Sequence, residues 1–283
     1  MGLPPSITLL GGRGMLGTDI ARTARSRGCR VDVFDLPEFD ITNPDHLAAA
    51  VGSSDVVINC AAFTNVDGAE SQADLAHRVN AEAVGHLGRL AKSSDVYVLH
   101  ISTDFVFDGR KNSPYTETDA PSPLSVYGAT KHQGEQLLAA SGCRHAIIRV
   151  QWTYGAAGNN FVAKMLQLAQ SRKQLTVVDD QIGSPTATWE VAGTILHLLS
   201  ADTYPQGLYH FAASGYASRL EQARFIFDLA GLDIDVLPCK TSDFKTPAQR
   251  PLNSRFDCAK LKSLLPEPIR KWQDPLKEFM EQI

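Results

Sequence analysis

Cysteine is sparse and unpatterned in this chain. Its five copies, Cys29, Cys60, Cys143, Cys239 and Cys258, form no C-x-x-C pair, which excludes a dithiol redox motif or zinc ribbon and argues against a disulfide-framed domain. Reduced thiols are expected, with Cys60 in the core. The eight histidines show no metal-ligand spacing, so no metal site is predicted. No apolar run approaches the ~18 residues of a membrane span. The opening Met1-Gly2-Leu3-Pro4-Pro5-Ser6 lacks the charged-then-apolar order of a secretory signal and matches an acylation pattern only loosely, with no basic residue to reinforce it. Basic residues are not in excess either: 27 Lys and Arg face 31 Asp and Glu, a net charge of −4. A nucleic-acid groove is therefore not expected. Internal repeats and low-complexity stretches are absent. These exclusions leave a cytoplasmic globular protein, with no nucleic-acid or membrane partner, acting on a small molecule.

What is present is an alternation of strands and helices. The 283 residues, 43% of them apolar, suffice for one large or two unequal domains. Strand-like runs at 7–10, 30–34, 56–60, 96–101 and 146–150 alternate with helical patterns near 45–51, 72–92 and 125–140. That is the pattern of an α/β, Rossmann-type doubly wound parallel sheet. Residues 1–150 read as a dinucleotide-binding domain. Residues 151–283 read mainly as a smaller, interleaved substrate lobe, with some segments returning to the first domain. In this second part a helix is expected at 160–171, a strand at 174–178, a loop at 179–186 and a helix at 187–200.

The first strand runs into Gly11-Gly12-Arg13-Gly14-Met15-Leu16-Gly17 and then into a helix. Glycines at this spacing allow a tight turn and close approach of a pyrophosphate to the helix N-terminus. Gly11, Gly14, Met15, Leu16 and Gly17 are accordingly candidate cofactor contacts. The second strand ends at Asp35, where an acid can hold ribose hydroxyls, and Asp40 follows close behind. Asp35 would repel a 2′-phosphate and favour NADH, whereas Arg13 could reach that phosphate and favour NADPH; both cofactors stay open. After the third strand, the small Ala61 and Ala62 would let backbone approach the cofactor.

Tyr127 and Lys131 lie four apart, hence on one face of a helix. An ammonium beside a phenol favours the phenolate, which is expected to lower the tyrosine pKa and make it a better acid near neutrality. Thr103, at the end of a strand, is a hydroxyl that could hold a reacting oxygen or cap its own backbone.

Taken together, Gly14-Met15-Leu16-Gly17, the segment from Ala61 to Glu70, Val79-Asn80, Ser102-Thr103-Asp104-Phe105-Val106-Phe107-Asp108-Gly109, Tyr127 with Lys131, Trp152-Thr153-Tyr154-Gly155, the segment from Asp180 to Thr186 and the segment from Arg250 to Arg255 resemble the extended short-chain dehydrogenase/reductase family. Within it the match is to the branch that reduces dTDP-linked 4-keto-6-deoxysugars, and it spans nearly the whole chain. The resemblance implies an NAD(P)H-dependent oxidoreductase acting on a nucleotide sugar. The reaction implied is dTDP-4-dehydro-6-deoxy-L-mannose to dTDP-L-rhamnose, for polysaccharide biosynthesis. It further implies a catalytic triad of Thr103, Tyr127 and Lys131, with Tyr127 and Lys131 also at the cofactor. Val66, Thr103, Asp104, Trp152, Arg250 and Asn253 are implied at the substrate. A homodimer is a further implication; magnesium has no support in the sequence, although Glu190 is one acid that could meet it.

The chain also departs from the family pattern. Met15 stands where glutamine is frequent, Phe105 where tyrosine is frequent, and Val150-Gln151 where small hydroxyl residues usually precede the tryptophan. None removes a catalytic group, but Gln151 places the identity of the sugar in question. Two alternatives remain: another nucleotide-sugar enzyme (epimerase or dehydratase), against which Phe105 stands in the dehydratase acid position, and a non-catalytic NADP-binding regulatory subunit related to the methionine adenosyltransferase beta subunit.

Overall fold

The computed structural model describes residues 5–52, 54–201 and 203–283; most of the opening acylation-like pattern lies outside them. Six parallel strands form the central sheet, in the order Gly207–Phe211, His145–Val150, Tyr97–Thr103, Val56–Asn59, Ile7–Leu10, Val31–Phe34. The inner strands Ile7–Leu10 and Val56–Asn59 are buried throughout, as expected of runs covered on both faces. One face packs on the helices Met15–Ser26 and Thr188–Leu198 through Ile20, Ala24, Val191 and Ile195. The other packs on Pro44–Val51 and Ala83–Ser93 through Leu47, Val84 and Leu87. The chain steps from Ile7–Leu10 to Val31–Phe34 on one side and then crosses back to Val56–Asn59 on the other. The crevice that this reversal opens at the strand C-termini is where such sheets hold ligands.

The later part of the chain contributes to both halves. Gly207–Phe211 completes the central sheet beside His145–Val150. A separate apolar cluster joins Val162, Met165, Leu175, Phe227, Trp272 and Leu276, around the parallel pair Gln174–Val178 and Asp235–Cys239. Two short pairs, Thr153–Tyr154 with Thr186–Ala187 and Ile182–Gly183 with Ala217–Ser218, tie the lobes together; they lie partly in the segment read from sequence as a loop at 179–186. Among the described residues no helix is long and apolar enough to cross a membrane.

The single helix expected over 72–92 is instead divided. Val66–Ser71 is a separate helix, then Ala73–His77 leads through a π-helical turn, Arg78–Glu82, into Ala83–Ser93. The wide turn has a use. Asn80 is fully buried and clamps Phe63, accepting from its N–H (2.8 Å) and donating to its C=O (3.2 Å), while also donating to Thr130 (3.2 Å). The loop following the third strand is thereby tied to helix Val126–Ala140. At that contact only a glycine fits at 134, because a Cβ would collide with the Asn80 carbonyl.

Candidate active site

One cavity of about 740 Å³ runs along the C-terminal edge of the sheet. It is lined by Gly11, Gly14, Met15, Leu16, Gly17, Asp35, Asp40, Ala61, Ala62, Val66, Thr103, Asp104, Tyr127, Lys131 and Trp152. The glycine turn is dictated sterically: Gly11 has φ +73°, and a Cβ there would lie 2.5 Å from the Ala61 nitrogen. No side chain caps the helix Met15–Ser26 that follows, so its first N–H groups and the positive end of its dipole are left for an anion. Asp35 stands at the end of the second strand, where its Oδ2 accepts from Arg13 N (2.7 Å) and Oδ1 from Leu36 N (2.8 Å). The Arg13 guanidinium turns outward to Leu36 O and Glu38 (both 2.7 Å). Asp40 holds Thr42 through its backbone N–H and hydroxyl (both 2.8 Å). These residues form a cradle suited to a dinucleotide: a backbone able to approach phosphate, and an acid at ribose distance along the fold.

The helix Val126–Ala140 carries Tyr127 and Lys131. Its start is fixed twice: the Ser125 hydroxyl accepts from Gly128 N (3.2 Å), and Glu70 accepts from Val126 N (2.9 Å). Glu70, carried by the helix Val66–Ser71, thus caps the start of a different helix. Tyr127 packs edge-on to Phe105, with ring centroids 5.5 Å apart. Burial raises its pKa to about 12, against a lowering by the Thr103 hydroxyl and with a further increase from Asp104. The phenol is therefore protonated at neutral pH. The expected lowering by Lys131 is not realised, because the Lys131 ammonium is turned to Ile101 O (2.7 Å) and His100 Nε2 (3.3 Å).

His100, which sequence reading passed over, explains part of this. Asn59 Oδ1 accepts from Ala61 N (3.0 Å), so its Nδ2 faces His100 Nδ1 (3.1 Å) as the donor. The fully buried ring is held neutral by burial and by the charge on Lys131. With Nδ1 accepting, Nε2 carries the proton and meets Lys131 with a donor. Burial lowers the Lys131 pKa to about 8, partly countered by Glu135. Glu135 in turn grips the buried Arg149 (2.8 and 2.6 Å). Cys60, expected in the core, packs on the main cluster and also reaches the cavity; burial pushes its thiol up to about 12.

Of the two roles left open for Thr103, the structure shows the backbone cap: it accepts from Phe105 N (3.2 Å) and donates to Asp104 Oδ1 (3.2 Å). Asp104 is buried, receives the Ser254 hydroxyl on Oδ2, and burial raises its pKa. Trp152 adopts a left-handed backbone, φ +46°, a strained conformation for a bulky residue. Its neighbour Gln151 accepts from Ser184 N (2.9 Å).

Two of the substrate candidates do not line this cavity. Arg250 makes a two-pronged ion pair with Asp67 (3.1 and 2.7 Å). Asn253 holds Lys111 O (2.6 Å) and Ser113 O (2.9 Å) and accepts from Arg255, which is the work of a loop clamp. Glu190 is bound to Arg270 (3.2 Å), which also holds Glu278. Conversely, Arg219 does line the cavity and was missed, since an arginine opening a helix carries no signal in sequence.

Comparison with known proteins places this geometry. The family model described as the RmlD substrate binding domain matches residues 5–283. A dTDP-4-dehydrorhamnose reductase of Mycolicibacterium smegmatis is 37% identical over 275 residues, covering 96% of this chain and 84% of that protein. The crystal structure of a dTDP-4-dehydrorhamnose reductase from Clostridium acetobutylicum superposes with a TM-score of 0.93 at 37% identity, covering 98% of this chain and 99% of the other. That of the Bacillus anthracis reductase, in complex with NADP, gives 0.94 at 32% identity, covering 99% and 100%.

Proposed function

The chain belongs to the RmlD family of dTDP-4-dehydrorhamnose reductases, and from that premise we propose that this cavity reduces the 4-keto group of a nucleotide-linked 6-deoxyhexose, converting dTDP-4-dehydro-6-deoxy-L-mannose to dTDP-L-rhamnose for polysaccharide synthesis. It is an NAD(P)H-dependent oxidoreductase. The observation that carries the reading is that one cavity contains both the glycine cradle and Thr103, Tyr127 and Lys131.

The residues divide the work as follows. Gly11, Gly14, Met15, Leu16 and Gly17 receive the cofactor phosphates at the helix N-terminus, Asp35 and Asp40 face the adenine-side ribose, and Ala61 and Ala62 leave room along the third strand. When bound, the reduced nicotinamide supplies hydride to the carbonyl carbon. Tyr127, protonated at neutral pH, gives its proton to the oxygen on which charge develops, and the Thr103 hydroxyl steadies that oxygen. Lys131, one helical turn away, holds the nicotinamide ribose. Val66, Asp104 and Trp152 shape the sugar end. The relative in complex with NADP supports NADPH; Asp35 supports NADH. A cytoplasmic location and a homodimer belong to the same reading, the latter measurable by sedimentation.

The test is loss of nicotinamide absorbance with dTDP-4-dehydro-6-deoxy-L-mannose, run with NADPH and with NADH. Turnover is expected to fall about 100-fold or more in Tyr127→Phe while cofactor affinity holds. Unchanged turnover in that variant would remove Tyr127 from its role. Stoichiometric NAD on the purified protein, with no net reduction, would point to an epimerase or dehydratase instead.

A further inference from the structure

Arg219 opens the helix Arg219–Ala230 and lies against the cavity. Its guanidinium carbon sits 3.5 Å from the centroid of the Trp152 ring and 4.8 Å from that of Phe161. A single side-chain hydrogen bond holds it, from one terminal nitrogen to Gln222 Oε1 (3.0 Å). Among the described residues it makes no ion pair. The buried Arg149, by contrast, is matched by Glu135, and the partly exposed Arg250 and Arg270 are paired with Asp67 and with Glu278 and Glu190. The acid nearest in its field is Asp104, whose oxygens are already engaged by Ser254 and Thr103. A second cation, Arg250, acts on it unfavourably.

A partly buried guanidinium on a cavity wall without an anion has its charge unmatched, and its planar fork of five N–H donors fits paired anionic oxygens. Stacking on Trp152 fixes the plane of that fork while leaving its edge free. We propose that Arg219 is a substrate-specificity residue, which takes an anionic oxygen pair of the nucleotide sugar on the Trp152–Asp104 side of the cavity. This rests on the nucleotide-sugar reading above. The shared chemistry has two sources, the diphosphate bridge and a carboxylate on the sugar ring.

Binding by calorimetry separates them, using dTDP, dTDP-glucose and dTDP-glucuronate on wild type, R219Q and R219K, with NADPH affinity as the control for folding. If the anion is the diphosphate, R219Q weakens dTDP by about 30-fold or more, and R219K, which keeps charge but loses the fork, falls between. If it is a sugar carboxylate, dTDP affinity is unchanged and the variant loses a wild-type preference for dTDP-glucuronate over dTDP-glucose. Unchanged affinities for all three ligands in R219Q would overturn the assignment while leaving the nucleotide-sugar reading intact. Wild type that binds NADPH but none of the three would overturn both.

Discussion

Replacing Lys131 by methionine should abolish turnover and yet make the protein harder to unfold at neutral pH. Lys131 is 2% exposed, its ammonium meets the proton-bearing nitrogen of a neutral imidazole, and burial brings its pKa from 10.5 to about 8. At pH 7 the folded protein nonetheless holds the lysine charged. A depression of that size corresponds to ~3 kcal/mol of destabilisation relative to a neutral group. Methionine removes this term and retains most of the packing, but leaves the Ile101 carbonyl without its donor, a loss of ~1 kcal/mol. The net expectation at pH 7 is a gain of ~2 kcal/mol. The sign with pH follows from the same shift. The folded-state pKa lies below the unfolded one, so between about 8 and 10.5 the unfolded chain binds more protons, and wild-type stability from this group rises with pH. By pH 10 most of the penalty is gone, and the advantage of the variant should shrink by ~2 kcal/mol. Urea unfolding of both proteins at pH 7 and pH 10 measures this: the raised pKa of Tyr127 affects both chains and cancels in the difference, and loss of Lys131 only raises the Cys60 thiol further, so that it stays protonated in both folded chains. A stability gap independent of pH, or a variant less stable at pH 7 with an unchanged m-value, would refute the reasoning.

Two other sites give equally direct expectations. Glu135→Gln leaves the buried Arg149 without its counter-charge, which should cost ~3–5 kcal/mol in chemical denaturation; burial opposes the charge on Glu135, but the bonds from Arg149 and His132 prevail and hold its pKa down at about 2, so its contribution in wild type should be present above pH ~4.5 and be lost as pH falls toward 2. Gly11→Ala forces a Cβ to 2.5 Å from the Ala61 backbone at φ +73°; it should lose ~1–3 kcal/mol of stability together with cofactor affinity, and calorimetry showing wild-type NADPH binding would refute the cradle argument.

The sequence was most legible where local chemistry decides the structure by itself. Alternating apolar runs placed the strands within one or two residues, since a strand covered on both faces must be apolar throughout. The glycine turn and the Tyr127–Lys131 spacing could be read because each depends on neighbours only a few residues away. Tertiary structure decided what those groups experience. Lys131 cannot be seen from sequence to face His100 rather than Tyr127, because His100 arrives on a different strand and its tautomer is set by Asn59 on a third. Arg250 looks like a free donor until Asp67, 183 positions away, pairs with it. The helix expected over 72–92 is interrupted because Asn80 has partners in Phe63 and Thr130, contacts that no propensity encodes. Arg219 is an ordinary arginine in the sequence; only folding lays it on Trp152 along the cavity wall, where among the described residues no carboxylate pairs with it. Periodicity and backbone sterics are local properties and so are written in the chain itself, whereas charge and proton affinity depend on long-range neighbours that exist only once the chain has folded.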